Sequence, residues 1–118
     1  MDSILTSIKK LLGITEECTD FDTDVTIHIN TVFAILTQLG VGPSSGFFII
    51  DKNDTWYDFL STNTNLELVK TYVYMKVKLM FDPPQSSAAM EAMNKTASEL
   101  EWRINAYVDP SVNKESEE

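Results

Sequence analysis

Leu66-Glu67-Leu68-Val69-Lys70-Thr71-Tyr72-Val73-Tyr74-Met75-Lys76-Val77-Lys78-Leu79-Met80-Phe81, closed by Asp82-Pro83-Pro84, is the stretch on which the fold turns. Its apolar residues go round most of a helix rather than along one stripe. A helix of that kind is either central in a core or shared with a neighbouring subunit. Asn65 is the expected N-cap. The proline pair ends the helix, because proline lacks an amide and pushes the residue before it out of helical conformation.

Outward from this segment the helical period recurs. On the C-terminal side, Ser86 or Ser87 opens a helix to about Val108, with Met90, Met93, Ala97, Leu100, Ile104 and Tyr107 on one stripe and Asp109-Pro110 as its stop. On the N-terminal side, Ser61 to Asn65 is a polar break. Before it, Asp54 or Thr55 opens a short helix carrying Trp56, Phe59 and Leu60, and Thr55 to Asp58 fits a capping box. Residues 41–53 lose the helical period: Gly42-Pro43-Ser44-Ser45-Gly46 is a breaker cluster and Phe47-Phe48-Ile49-Ile50 a short β-prone run, so an irregular loop with a short extended piece is expected. A helix from about Thr23 to Leu39, capped by Asp22 or Thr23 and ended by Gly40, carries Val25, Ile29, Val32, Phe33 and Leu36 on one face. An acidic connector, Ile14 to Phe21, joins it to an amphipathic first helix, Ser3 to Leu12, with Lys9 and Lys10 in its last turn and Gly13 just beyond. The expected fold is all-α: a compact bundle of three longer helices plus one or two short ones, with residues 1–110 as one helical domain and 111–118 as a flexible acidic tail.

The chain has 118 residues, and 9 Lys+Arg against 18 Asp+Glu give 9 − 18 = −9 at pH 7. Such a balance opposes broad affinity for nucleic acid or anionic lipid. No apolar run approaches the roughly 20 residues that span a bilayer, and the N-terminus lacks the pattern of a secretory signal. The single Cys18 has no internal disulfide partner. A cytosolic acidic domain is the expectation from composition.

The parts of an enzyme do not assemble. Asp20, Asp22 and Asp24 match three positions of a calcium loop, but Val25 stands where the loop needs Gly and Thr31 where it needs Glu. His28 is the only histidine and neither it nor Cys18 has partners at metal-ligand spacing. The glycines at 40, 42 and 46 lack the strand-to-helix setting of a phosphate loop. Asp51, Asp54 and Asp58 are read as loop and helix-start anions rather than as an acid–base pair. No catalytic, cofactor-binding or metal-binding residue is expected, and no cofactor.

Interaction remains. Within the central helix Lys70, Lys76 and Lys78 against Glu67 give 3 − 1 = +2, a local reversal of the chain's sign. These lysines either line a solvated face or meet the acidic surface of another subunit. Phe47 and Phe48, read as exposed in the 41–53 loop, complete the candidate interface.

The opening Met1-Asp2-Ser3-Ile4-Leu5-Thr6-Ser7-Ile8-Lys9-Lys10-Leu11-Leu12-Gly13, the acidic connector into Phe21-Asp22-Thr23-Asp24, and Gln38-Leu39-Gly40-Val41-Gly42 resemble small head–tail connector (adaptor) proteins of long-tailed bacteriophages and prophages. So do Tyr72 to Pro84, whose Lys-x-Lys-Leu-x-Phe-Asp-Pro-Pro ending is the most specific block, and Glu99-Leu100-Glu101-Trp102-Arg103-Ile104-Asn105. The resemblance implies a helical virion structural protein without catalytic residues, located at the virion neck and in host cytoplasm during assembly. It implies a ring of about twelve subunits under the portal protein, extending the DNA channel and docking the next neck or tail component. DNA would pass through without specific binding, and no membrane is involved. The competing reading is an acidic monomeric DNA mimic that inhibits a nucleic-acid enzyme. A mimic wants carboxylates in rows on one surface, whereas here they sit at helix starts, connectors and the tail.

Overall fold

Helix α4 (Leu66–Phe81) is the axis of the molecule, with α2 (Asp22–Gln38) and α5 (Ser87–Val108) both packed on it and α1 (Ile4–Leu12) set against α2 and α4. A single turn of helix, α3 (Trp56–Phe59), completes the helices. The computed structural model describes residues 3–43, 45–60 and 66–108; the expected cap Asn65, the stop at Asp109-Pro110 and the tail 111–118 lie outside them. Among the described residues there is no strand, only an isolated antiparallel bridge between Ser3 and Thr55.

The apolarity of α4 thus reflects, over the side that carries residues 69, 72, 73 and 77, a central position. Val69, Tyr72, Val73 and Val77 are buried in one core with Ile4, Ile8, Val25, Ile29, Val32, Phe33, Leu36, Trp56 and Ile104. Burying side chains of this size stabilises by about 1.5–3 kcal/mol each. Phe33 is the hub of the aromatic part, with Phe59 at 4.5 Å and Phe47 at 5.4 Å between ring centroids.

The helix ends follow local chemistry. The Ser3 hydroxyl caps α1 by accepting from the Thr6 amide at 3.2 Å. Gly13, at φ 86°, closes it in the left-handed conformation, with its own amide donating to Lys10 and that of Ile14 to Lys9. Thr55 and Asp58 form the expected reciprocal box at the start of α3. Ser86 accepts from the Ala89 amide at the start of α5.

The 41–53 loop is irregular, yet its β-prone run is extended in the literal sense: Phe47 and Ile49 turn inward while Phe48 and Ile50 turn out. Asn30 of α2 acts as the missing strand partner. Its amide nitrogen donates to the Ile49 carbonyl at 3.0 Å, and its oxygen accepts from the Ile49 amide at 2.7 Å. Gly42 is at φ +81°, and a Cβ there would stand 2.5 Å from the Phe59 ring, so the buried ring and the loop can close on each other only over glycine.

Three expectations are corrected. The second long helix starts at Asp22 with Phe21 as N-cap and no capping side chain, because Asp22 is engaged elsewhere. Asp54 does not cap α3: its Oδ2 accepts from the amides of Ile50 and Asp51, tying the loop's exit. Phe47 is not an exposed aromatic. It is partly buried against Phe33 and Phe59, because the extended run alternates and one of two adjacent rings must face the core.

Candidate functional site

The only buried charge among the described residues is Lys9, 3% exposed in the last turn of α1. Its ammonium donates to the carbonyls of Cys18 at 2.7 Å and Glu16 at 3.3 Å, and stands 2.8 Å from Asp22 Oδ1. The contact with Asp22 is ionic rather than a well-aimed hydrogen bond. Together the three contacts wrap the acidic connector around the end of α1 and pin the start of α2. The consequence at the surface is an acidic edge, where Glu16, Glu17, Asp20 and Asp24 are exposed around the partly exposed Phe21.

The candidate lysines do different things. Lys70 is half-buried with its ammonium 5.7 Å from the centre of the Trp56 ring, a cation–π placement. Lys78 donates to the side chain and backbone carbonyl of Asp82 at 3.2 and 3.0 Å, closing the C-terminus of its own helix. Lys76 is half-buried, on the face of α4 that Tyr72 presents to α5. The three are therefore not one patch. Phe48, 65% exposed, stands out from the loop, while Phe47 belongs to the core.

The periodicity reading missed other exposed apolar residues. Ile27 of α2 and Ile50 of the loop flank a groove of about 470 Å³ that also includes Leu5, Thr23 and Thr26. Trp102, 70% exposed, points away from α4. Trp102 was detectable, since it falls off the Met90–Ile104 stripe; Ile50 was not, since the polarity of an extended run has no sign until one residue is anchored. A second, more polar groove of about 720 Å³ is lined by Ser3, Thr6, Lys10, Lys52, Lys70 and Tyr74 among others. Neither groove pairs a nucleophile with a base.

The α4–α5 pair is cross-linked from within. The buried Tyr72 hydroxyl donates to Glu101 Oε2 at 2.7 Å. Burial, then the bond to Glu101 and its negative charge, push the phenol well above its ordinary 10.0. His28 packs edge-on to Phe81. Among the described residues no cluster of three or more His, Cys, Asp or Glu is placed to hold a metal ion. No helix among them is long and apolar enough to cross a membrane.

Among the described residues several large apolar side chains, Ile27, Phe48, Ile50 and Trp102 among them, lie on the surface, as contacts with a partner require. A protein-family model described as phage connector protein matches residues 4–111. The chain belongs to the phage connector family. No curated protein and no solved structure matches it. Membership makes it a phage structural protein of the head–tail connection, a family whose members engage portal or tail components and oligomerise. The match runs through every described helix.

Proposed function

We propose that this connector forms a closed ring of about twelve subunits under the phage portal, lengthening the DNA channel and offering its far face to the next neck or tail component. The observation that carries this reading is the family match across 4–111, on a fold that leaves large apolar side chains on several separate surfaces. A closed ring needs two different patches on each subunit, and exposed apolar residues occur on α2, on the 41–53 loop and on α5. The net charge of −9 per subunit, repeated around a ring, would repel DNA and let it slide. Phe48 is the loop's candidate contact, and Lys76 the basic one that neither caps its own helix nor lies on an aromatic ring. Purified chain mixed with its portal and imaged by electron microscopy tests the reading: a ring of extra density on the portal is expected, and a portal left bare at saturating chain overturns it.

A further inference from the structure

The hairpin of α4 and α5 carries an apolar seam outside the main core. Met75, Leu79, Met90 and Met93 are each only half-buried, Met80 is 39% exposed, and none belongs to the core cluster or its partly buried surround. On α5 no residue before Ala97 is buried, and α5 packs on α4 without comparable contact to α1 or α2. Methionine is flexible and polarisable, and suits surfaces that adapt to a partner.

Two contacts locate this seam. Tyr72 bonds to Glu101, so in the antiparallel hairpin 72 + 101 = 173, and 80 + 93 = 173 puts Met93 level with Met80 at the C-terminal end of α4. At that same end, Phe21 from the acidic edge packs edge-on to Phe81, ring centroids 5.5 Å apart. Phe81 lies nine residues after Tyr72, about two and a half helical turns, hence on the opposite side of α4. The methionine seam and the acidic edge therefore occupy opposite flanks of one subunit at the same height, which is the arrangement a head-to-tail ring requires. Their charges are complementary: Lys76 lies beside the seam, while Asp20 and Asp24 stand exposed on the other flank, with no ion-pair partner among the described residues.

We infer that the seam formed by Met75, Leu79, Met80, Met90 and Met93 receives the acidic edge of a second copy of this chain, with Phe21 and Ile27 of that copy entering the seam and Asp24 facing Lys76. The inference rests on the ring reading above and specifies its lateral contact.

The test uses full-length chain assembled on the portal, in a Cys18→Ser background. Met93→Cys and Ile27→Cys are introduced together and singly, and treated with a short bis-maleimide. The double variant is expected to give a ladder of covalent multimers, and each single variant only monomer. In parallel, Lys76→Glu is expected to lower assembly about tenfold, and Asp24→Lys in the same chain to restore it. A ring seen by microscopy without a ladder overturns the assigned surfaces and leaves the ring standing. Multimers from a single-cysteine chain show two-fold pairing and overturn the head-to-tail contact. No ring with the unmodified chain overturns the ring reading and this contact together.

Discussion

Replacing Lys9 by methionine removes the one buried cation among the described residues and keeps an unbranched side chain one atom shorter. Three groups then lose their partner at once: the Asp22 carboxylate and the carbonyls of Glu16 and Cys18. Breaking a fully buried ion pair from one side costs about 3–5 kcal/mol. Here the Asp22 side chain is 32% exposed, so water recovers part of the loss and about 2–3 kcal/mol is expected. For a chain of this size that is a fall of about 8–12 °C in Tm. Asp22→Asn keeps a neutral acceptor for the ammonium and should cost about 1 kcal/mol. Adding Asp22→Leu to Lys9→Met should recover part of the stability, since no carboxylate is then stranded, but not all of it, because the two carbonyls stay unpaired. Urea unfolding followed by far-ultraviolet circular dichroism measures each value, with an unchanged slope showing that the folded state is intact. A Lys9→Met chain within about 0.5 kcal/mol of the parent would refute the idea that this clamp holds the connector to α1.

Tyr72→Phe should cost about 1 kcal/mol at neutral pH. Because the folded phenol sits above its ordinary 10.0, its contribution is whole below that pH and is lost as pH rises through the folded value, so the gap between parent and variant should close in strong alkali, read by unfolding at stepped pH. Gly42→Ala combines a left-handed backbone with a Cβ against the Phe59 ring and should cost about 2 kcal/mol or more, whereas Gly46→Ala, where the space is open, should cost about 1 kcal/mol; thermal melts of the two compare them directly. Phe47→Ser should cost about 2–3 kcal/mol and Phe48→Ser less than about 0.5 kcal/mol, so only the second is a clean probe of assembly. Trp102→Phe should remove the red, acrylamide-quenchable part of the fluorescence and leave the blue emission of Trp56.

The helices were legible because each writes its own period: the Val25–Leu36 face, the Ser87–Val108 stripe and the all-round apolarity of Leu66–Phe81 each point to the element found. Caps with reciprocal chemistry, as at Thr55 and Asp58, were equally readable. What escaped has no period. Lys9 reads as a solvated cation of a last turn, and its burial depends on carbonyls of an irregular connector that only the fold brings to it. Asn30 looks like any polar residue on a helix flank, yet it supplies both bonds that a strand neighbour would give Ile49. Phe47 and Phe48 are identical letters, and their division between core and solvent follows from that anchoring of Ile49. The lysines of α4 shared a charge count but not a place, since a helix turns by about 100° per residue and sends 70, 76 and 78 to different neighbours. Family membership was legible in long blocks of sequence, while the surfaces that act in assembly depend on the relative placement of α2, α4 and α5.

One image decides whether the chain assembles on the portal. Electron microscopy of the chain bound to its portal, averaged with rotational symmetry, is expected to show a closed ring continuous with the portal channel, with α2 of each subunit facing the α4–α5 hairpin of the next. A portal without added density, or subunits bound singly with no contact between neighbours, would contradict it.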